Sequence, residues 1–192
     1  MFMLVNIKVK QARQEQDKNM IKVRALVDIQ ECGRVARATQ GLTGNIVSLK
    51  TWQRWLRAEH SMIRVFLLSI EMTDIPYYVS VHLVRHKFGV EHFVRSQRPT
   101  SMNPVEYDRN EAPQNALVNH TMVLNPQSLI NISRKRLCNK ADPVTRRLWQ
   151  YVRDVISRHS NPYVAAIASV MVPDCKYRGE CHEIVSCGEH NE

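Results

Sequence analysis

The alternation of apolar and polar residues predicts strands near the start of the chain. Residues 2–9 and 20–27 follow the two-residue period of a half-buried strand, and a polar turn rich in Gln, Lys and Asp separates them. The second segment places its apolar side chains on one face, and these are Ile21, Val23, Ala25 and Val27. Residues 63–72 are almost all apolar, which is typical of a strand buried on both faces.

Helical spacing predicts two helices in the first half of the chain. One begins near Ser48, because the apolar residues after it recur on one helical face, namely Leu49, Trp52, Trp55 and Leu56. The other begins at Pro76, since proline is favoured at the first helical position, and runs to about Lys87 or Phe88.

Repeated start signals mark helices in the second half. A capping side chain directly precedes a proline at Asn103-Pro104, Asn125-Pro126, Asp142-Pro143 and Asn161-Pro162. The last three of these signals predict helices at 126–138, 143–158 and 162–171. Strands and helices without a low-complexity linker or a solenoid repeat predict an α+β fold in a single domain that covers residues 1–192.

Charge and glycine content narrow the kind of ligand. The chain carries 27 Lys and Arg against 18 Asp and Glu, a net charge of +9, which favours an anionic partner: a nucleotide, a nucleic acid or a membrane surface. Only six glycines are present and no two are spaced G-x-G, so the sequence contains neither a Rossmann fingerprint nor a Walker A loop. A bound nucleotide must therefore be held by side chains or by helix ends.

The sequence shows no secretory signal and no apolar run near the roughly 20 residues of a membrane span, so we expect a cytoplasmic protein. The odd count of five cysteines excludes complete disulfide pairing within the chain. Cys175, Cys181 and Cys187, with His182, offer four zinc ligands, but C-x5-C-x5-C is not a common zinc spacing. We assign no metal from the sequence. The favoured interpretation is that this tail packs against a neighbouring subunit, and elemental analysis of the purified protein would test for a metal.

Three segments carry candidate chemistry. His82, Arg85 and His86 stand at helical positions i, i+3 and i+4, which forms either a site or a solvated helix end. Ser96-Gln97-Arg98 offers the charge and donors that a phosphate needs, although such tripeptides are common on surfaces. The basic run from Arg134 to Lys140 is either dipole compensation or an RNA-binding stripe, and the lack of nearby aromatic residues in the sequence weakens the second interpretation.

Together, these segments resemble the flavin-dependent thymidylate synthase family. Glu59-His60 is similar to a family pair before a core strand, and His82-Leu83-Val84-Arg85-His86-Lys87 is similar to its Gln-x-x-Arg-His-Arg. Ser96-Gln97-Arg98 resembles the end of the family signature. Further matches in the same order are Arg109 with Ala112-Pro113, Asn125-Pro126-Gln127-Ser128-Leu129, Arg136-Leu137-Cys138-Asn139-Lys140-Ala141 and the cysteine-containing tail.

The resemblance implies a fold with a mainly antiparallel sheet and a homotetramer that binds FAD and dUMP between subunits. The implied reaction transfers a one-carbon unit from methylenetetrahydrofolate to C5 of dUMP, with NADPH reducing the flavin. Residues implied to contact FAD are His60, Arg85, His86, Lys87, Asn125, Gln127 and Asn131. Residues implied to contact dUMP are His82, Arg85, Ser96, Gln97, Arg98, Arg109 and Arg136. Arg136 has the catalytic role, since a guanidinium beside the pyrimidine stabilises negative charge on the ring.

Departures from the family pattern keep alternatives open. Val90-Glu91-His92-Phe93 replaces the middle of the signature, Pro99 replaces its final Tyr, and Lys87 and Gln127 stand where the family has Arg. The segment from Arg98 to Arg109 is also short for the family. The first interpretation is a compact enzyme of this type, or a relative that transfers another one-carbon group to a pyrimidine nucleotide. The second is a catalytically lapsed relative that binds a nucleotide as a sensor or interaction protein. A nucleic-acid-binding module has the least support.

Overall fold

Four antiparallel strands form the single sheet in the part of the chain that the structure describes. A computed structural model describes residues 20–96 and 110–189. The strands are β1 (Ile21–Ala25), β2 (Leu68–Pro76), β3 (Val90–Val94) and β4 (Leu117–Leu124), in the spatial order β1-β2-β4-β3. The predicted α+β class with an antiparallel sheet is confirmed. The predicted strand at 2–9 and the Asn103-Pro104 signal lie outside the described residues.

The predicted alternation holds for the start of β1 but not for its end. Ile21 and Val23 are buried, whereas Ala25 is exposed and Val27 lies beyond the strand. The apolar run at 63–72 was wrongly predicted to be one strand. Residues Ser61–Arg64 form a 3₁₀ helix instead, and Ile63 and Phe66 are apolar because they fill the core. The strand proper begins at Leu68 and continues to Pro76.

Strands β3 and β4 were not predicted, and they carry two of the histidines near the candidate site. In β4 the side chains of Val118, His120, Met122 and Leu124 alternate into the core. The antiparallel register sets Val94 of β3 opposite His120 and His92 opposite Met122. The sheet therefore brings His92 and His120 together beneath the helices.

Four of the seven helices of the described residues begin at a predicted start. They are α1 (Ile29–Ala38), α2 (Leu49–Arg57), α3 (Tyr77–Val84), α4 (Pro126–Arg136), α5 (Pro143–Ser157), α6 (Pro162–Ile167) and α7 (Asp174–Arg178), with a 3₁₀ turn at Ala168–Val170. The side chains of Ser48, Asn125, Asp142 and Asn161 each accept a hydrogen bond from a backbone N–H of the helix that follows. These bonds satisfy donors that the first helical turn leaves unpaired, so the predicted starts are confirmed.

Helix α3 is shorter than its sequence predicted. It ends at Val84 rather than at Lys87 or Phe88, and Pro76 ends β2 instead of taking the first helical position. The chain must turn after Arg85 to reach β3, and Gly89 adopts a φ of +67° in that turn. A Cβ at Gly89 would lie 2.7 Å from the Ser128 hydroxyl, so the turn requires glycine.

Two tryptophans tie the helices to one another in the core. The indole N–H of Trp52 donates to the Tyr163 carbonyl at 2.8 Å, and that of Trp149 donates to the buried Ser133 hydroxyl at 2.9 Å. Both rings are fully buried, and pairing their single polar atom avoids the cost of an unsatisfied donor. Within the described ranges, no helix combines the length and the apolar character that crossing a membrane requires.

Candidate functional site

Arg136 is the centre of the candidate site. It is the last residue of α4, and its guanidinium reaches the end of α3 and the loop that follows. Its Nη2 donates to the backbone carbonyl of His82 at 2.5 Å, and its Nε donates to Nε2 of His86 at 3.0 Å. Both acceptors are neutral, so the partly buried guanidinium is oriented without being neutralised.

The electrostatics of this cluster favour an added anion. Burial lowers the pKa of Arg136, and the positive charge of Arg85 lowers it further, while Asp142 acts in the opposite direction. Burial and the charge of Arg136 lower the pKa of His86 to about 4, so this imidazole is neutral near pH 7. Because Nε2 of His86 accepts the bond from Arg136, its proton resides on Nδ1.

His82 is oriented by the start of α5. The Thr145 hydroxyl donates to Oδ1 of the capping residue Asp142 at 2.9 Å, and His82 Nδ1 lies 2.8 Å from the same hydroxyl oxygen. The Thr145 proton is thus used toward Asp142, so the hydroxyl oxygen accepts from Nδ1–H of His82. This arrangement leaves Nε2 of His82 for a ligand.

A chain of histidines supports the loop after α3. Nε2 of His92 lies 2.9 Å from the His86 carbonyl, and its Nδ1 lies 3.0 Å from Nε2 of His120. The His120 Nδ1 in turn lies 3.1 Å from the buried Ser80 hydroxyl. Burial, together with His92, lowers the pKa of His120 to about 4. When the rings are neutral, the Ser80 hydroxyl donates to His120 and His120 donates to His92. His92 then donates to the backbone carbonyl of His86, which holds the loop in place.

A second polar cluster lies on one side of α4, around Glu59. Gln127 Nε2 donates to Glu59 at 2.5 Å, and Arg134 forms an ion pair with the same carboxylate. The guanidinium carbon of Arg134 also lies 3.7 Å from the centre of the Tyr177 ring. Burial raises the pKa of Glu59, but the Gln127 hydrogen bond and the Arg134 charge outweigh it, so the net pKa is lowered. Tyr177 corrects the expectation that the basic run lacks an aromatic neighbour, and this ring is already engaged.

The other predicted flavin-side residues are distributed around this second cluster and the loop. His60 is exposed and its ring stacks on Trp55 with centroids 5.9 Å apart. Asn131 accepts a hydrogen bond from Gln127 at 3.4 Å, and Asn125 caps α4. Lys87, like Arg85, is exposed and makes no ion pair or hydrogen bond within residues 20–96 and 110–189.

The structure therefore brings His82, Arg85, His86 and Arg136 together. His86 does so from a loop rather than from the shared helical face that the spacing predicted.

Ser96 is exposed just after β3. Gln97, Arg98 and Arg109 lie outside the described residues and stay predictions. The sequence analysis did not assign roles to His92 and His120; the strand alternation around Val118 and Met122 was the available signal for His120.

Comparison with known proteins identifies the fold. No protein-family model matches the chain, and no curated protein sequence matches it. Among solved structures, the UMP/dUMP methylase PolB from Streptomyces cacaoi, bound with 5-Br dUMP, aligns with a TM-score of 0.56 and 9% identity. That alignment covers 79% of this chain and 97% of PolB. Thymidylate Synthase X (ThyX) from Helicobacter pylori, with FAD and dUMP, aligns with a TM-score of 0.56 and 12% identity over 79% of this chain and 99% of ThyX. This chain shares the fold of those two proteins.

Proposed function

We propose that this protein transfers a one-carbon unit from methylenetetrahydrofolate to C5 of dUMP with FAD as cofactor and NADPH as reductant. The observation that carries the proposal is Arg136, a partly buried guanidinium oriented only by neutral acceptors on a fold shared with two dUMP-binding proteins. A cation without a neutralising hydrogen-bond partner at a half-buried position is suited to bind an anion or to stabilise one that forms.

Arg136 suits the activation of a uracil ring. It uses Nε–H and one Nη2–H within the protein, so its other N–H groups remain for a ligand carbonyl. C5 of uracil is a weak nucleophile, and negative charge on the ring increases its reactivity. A fixed guanidinium beside the ring oxygens stabilises that charge as it forms, and neutral His86 does not compete with it.

Arg85 is the cation that we assign to the nucleotide phosphate. It is exposed beside Arg136, and the two like charges raise each other's electrostatic energy until an anion binds between or near them. We propose that His82 contacts the nucleotide through Nε2. Ser96, Gln97, Arg98 and Arg109 complete the proposed dUMP set.

The donor set around α4 fits the diphosphate of FAD. Arg85 and Lys87 are exposed cations, His60 is an exposed imidazole, and the charge of Glu59 is neutralised by Arg134, so no unpaired carboxylate of this cluster opposes an anion. Residues proposed to hold FAD are His60, Arg85, His86, Lys87, Asn125, Gln127 and Asn131. Bound FAD would supply the reducing equivalents for the transferred carbon.

We further propose a homotetramer of single-domain chains, with sites between subunits. Phe88 is 91% exposed in the loop that carries His86 and Lys87, and Phe93 is 60% exposed on edge strand β3. In the proposed assembly, a neighbouring subunit covers these two aromatic side chains.

One observation favours a second candidate, a relative that binds a pyrimidine nucleotide without turnover. Gln127, at the position where the resembled family has a cation, donates to Glu59 and so is occupied within the chain. In this alternative, the Arg136 cluster binds a nucleotide while the flavin side is not used.

Purification and isotope release separate the two functions. We expect the purified protein to be yellow with bound flavin and to release tritium from [5-³H]dUMP when methylenetetrahydrofolate and NADPH are present. A colourless protein that dUMP stabilises against heat but FAD does not would instead support the nucleotide-binding relative. If neither ligand raises the melting temperature, both functions are wrong.

A further inference from the structure

Four of the five cysteines line one small cavity next to the C-terminal end of α4. The cavity has a volume of about 30 Å³, room for roughly one water molecule or one metal ion. Cys138 lies two residues beyond the end of α4, and its side chain lines the cavity on the side of that helix. Cys175 from α7 and Cys181 and Cys187 from the tail contribute the other thiols.

These thiols are unpaired and near one another. None of the cysteines forms a disulfide, and all of them lie in the described residues. Cys138, Cys175, Cys181 and Cys187 all line the same small cavity, which places them near one another. The fifth cysteine, Cys32, is fully buried in α1 and does not line this cavity.

The carboxylates and the imidazole around the cavity are already engaged with other groups. Glu183 pairs with Lys135 at 3.5 Å, and Glu189 accepts a hydrogen bond from Asn139. Asp174 pairs with Arg178 at 2.9 Å, and His182 lies 2.8 Å from Glu180. The thiols are therefore the available ligands, and thiolate sulfur selects a soft ion over Mg²⁺ or Ca²⁺.

Two features would stabilise thiolates in this cavity. The backbone N–H of Lys140 lies 3.5 Å from the Cys138 sulfur, in position to donate to it. The side chain of Lys140 also lines the cavity and supplies positive charge. Hydrogen bonds to ligand atoms and neighbouring charge of this kind orient metal ligands and increase their affinity.

We propose that Cys138, Cys175, Cys181 and Cys187 bind one zinc ion. The tail alone supplies three thiols, at a C-x5-C-x5-C spacing that is unusual for zinc. The fold brings a fourth thiol, that of Cys138, to the tail. Zinc prefers four tetrahedral ligands in structural sites, and four thiolates meet that preference. Binding releases the four thiol protons to solvent and leaves a doubly negative centre that Lys140 partly offsets. This proposal does not depend on the proposed function.

The thiols must move closer together for the ion to bind. Within residues 20–96 and 110–189, the structure contains no group of three His, Cys, Asp or Glu side chains that is already arranged to hold a metal ion. Coordination at about 2.3 Å therefore draws the thiols inward. Residues 179–189 form no helix or strand and are mostly exposed, so this segment can move without disturbing the core.

Elemental analysis of the full-length protein tests the proposal. Protein purified in reducing buffer should contain about one zinc per chain. Cys175→Ser and Cys138→Ser should lower that content at least about tenfold. Two matched controls should retain it: Cys32→Ala removes the thiol outside the cavity, and His182→Gln removes the imidazole in the cavity wall.

Thiol reactivity of the unmutated protein gives a second test that does not require a variant to fold. With zinc bound, thiol reagents should modify the protein slowly, and a strong chelator should make four thiols reactive while lowering the melting temperature. A protein that contains no zinc, cannot be loaded with it and has four thiols reactive from the start would overturn the proposal. Loss of zinc in His182→Gln but not in Cys187→Ser would overturn the assignment of ligands.

Discussion

Two arginines on the same helix have opposite electrostatic surroundings. Arg134 forms an ion pair with Glu59 and lies against the Tyr177 ring, so its charge is satisfied within the chain. Arg136, two residues later, is held by a carbonyl and a neutral imidazole, so its charge remains for a ligand. The comparison teaches that the basic run at the end of α4 serves two purposes, one structural and one proposed to be functional.

Removing Arg136 should have the largest effect on nucleotide binding. Arg136→Ala should weaken dUMP affinity by about 10- to 100-fold, the range for lost hydrogen bonds to a charged group. Isothermal titration calorimetry measures the change, and Arg134→Ala is the matched control on the same helix. Equal losses of affinity in the two variants would contradict the division between these arginines.

Removing Glu59 should reverse the pattern, with a large effect on stability and a small one on binding. Glu59→Ala leaves the mostly buried Arg134 charge unpaired and should lower the free energy of unfolding by about 2–3 kcal/mol. Urea unfolding measures this loss. Asp154→Ala, which removes an exposed carboxylate, should change stability by less than about 0.5 kcal/mol. Similar stabilities for the two variants would show that the Glu59 pair contributes little.

Acid should destabilise the side of the molecule around Arg136. His86 and His120 have pKa values of about 4 in the folded protein, below the ordinary value of 6.5. Between pH 4 and pH 6.5 the unfolded chain therefore binds more protons than the folded protein does. The stabilisation from these histidines is fully present above about pH 6.5 and is lost as the pH falls toward 4. Each histidine should contribute about 1–2 kcal/mol to this loss.

Urea unfolding at a series of pH values measures this dependence. His120→Asn should make the loss between pH 6.5 and pH 4 shallower, whereas His182→Gln, at an exposed position, should leave it unchanged. A stability that does not vary across this pH interval would contradict the neutral state of the two histidines.

Disrupting the far end of the histidine chain should have the smallest effect. Ser80→Ala removes the donor to His120 and should cost about 1 kcal/mol of stability, because a buried acceptor is left unpaired. Ser157→Ala, at an exposed helix end, is the control and should be close to neutral. Thermal unfolding of both variants measures the difference, and equal melting temperatures would argue against a stabilising role for the chain.

Much of the fold could be predicted because local signals determine it. The caps at Ser48, Asn125, Asp142 and Asn161 act on the residues directly after them, so the sequence alone located four helix starts. The end of α3 could not be predicted, because it depends on the turn that delivers the chain to β3. Strand β4 was missed although its alternation is regular, since a polar His120 occupies one of the core positions.

The candidate site was only partly predictable for a similar reason. Spacing placed His82, Arg85 and His86 together, and the family resemblance added Arg136. Sequence separation gives no indication that Glu59 neutralises Arg134, or that His92 and His120 support the loop before β3. These contacts depend on the sheet register and on helix packing, which bring together residues that are distant in the chain.

The central claim is that Arg136, and not Arg134, is available to bind a nucleotide. The most direct test is a ¹⁵N–¹H spectrum of the arginine Nε–H groups during titration with dUMP, with the two resonances assigned from Arg136→Lys and Arg134→Lys. The account predicts that the Arg136 signal shifts with saturation while the Arg134 signal stays in place. A shift confined to Arg134, or no shift of either signal at saturating dUMP, would contradict it.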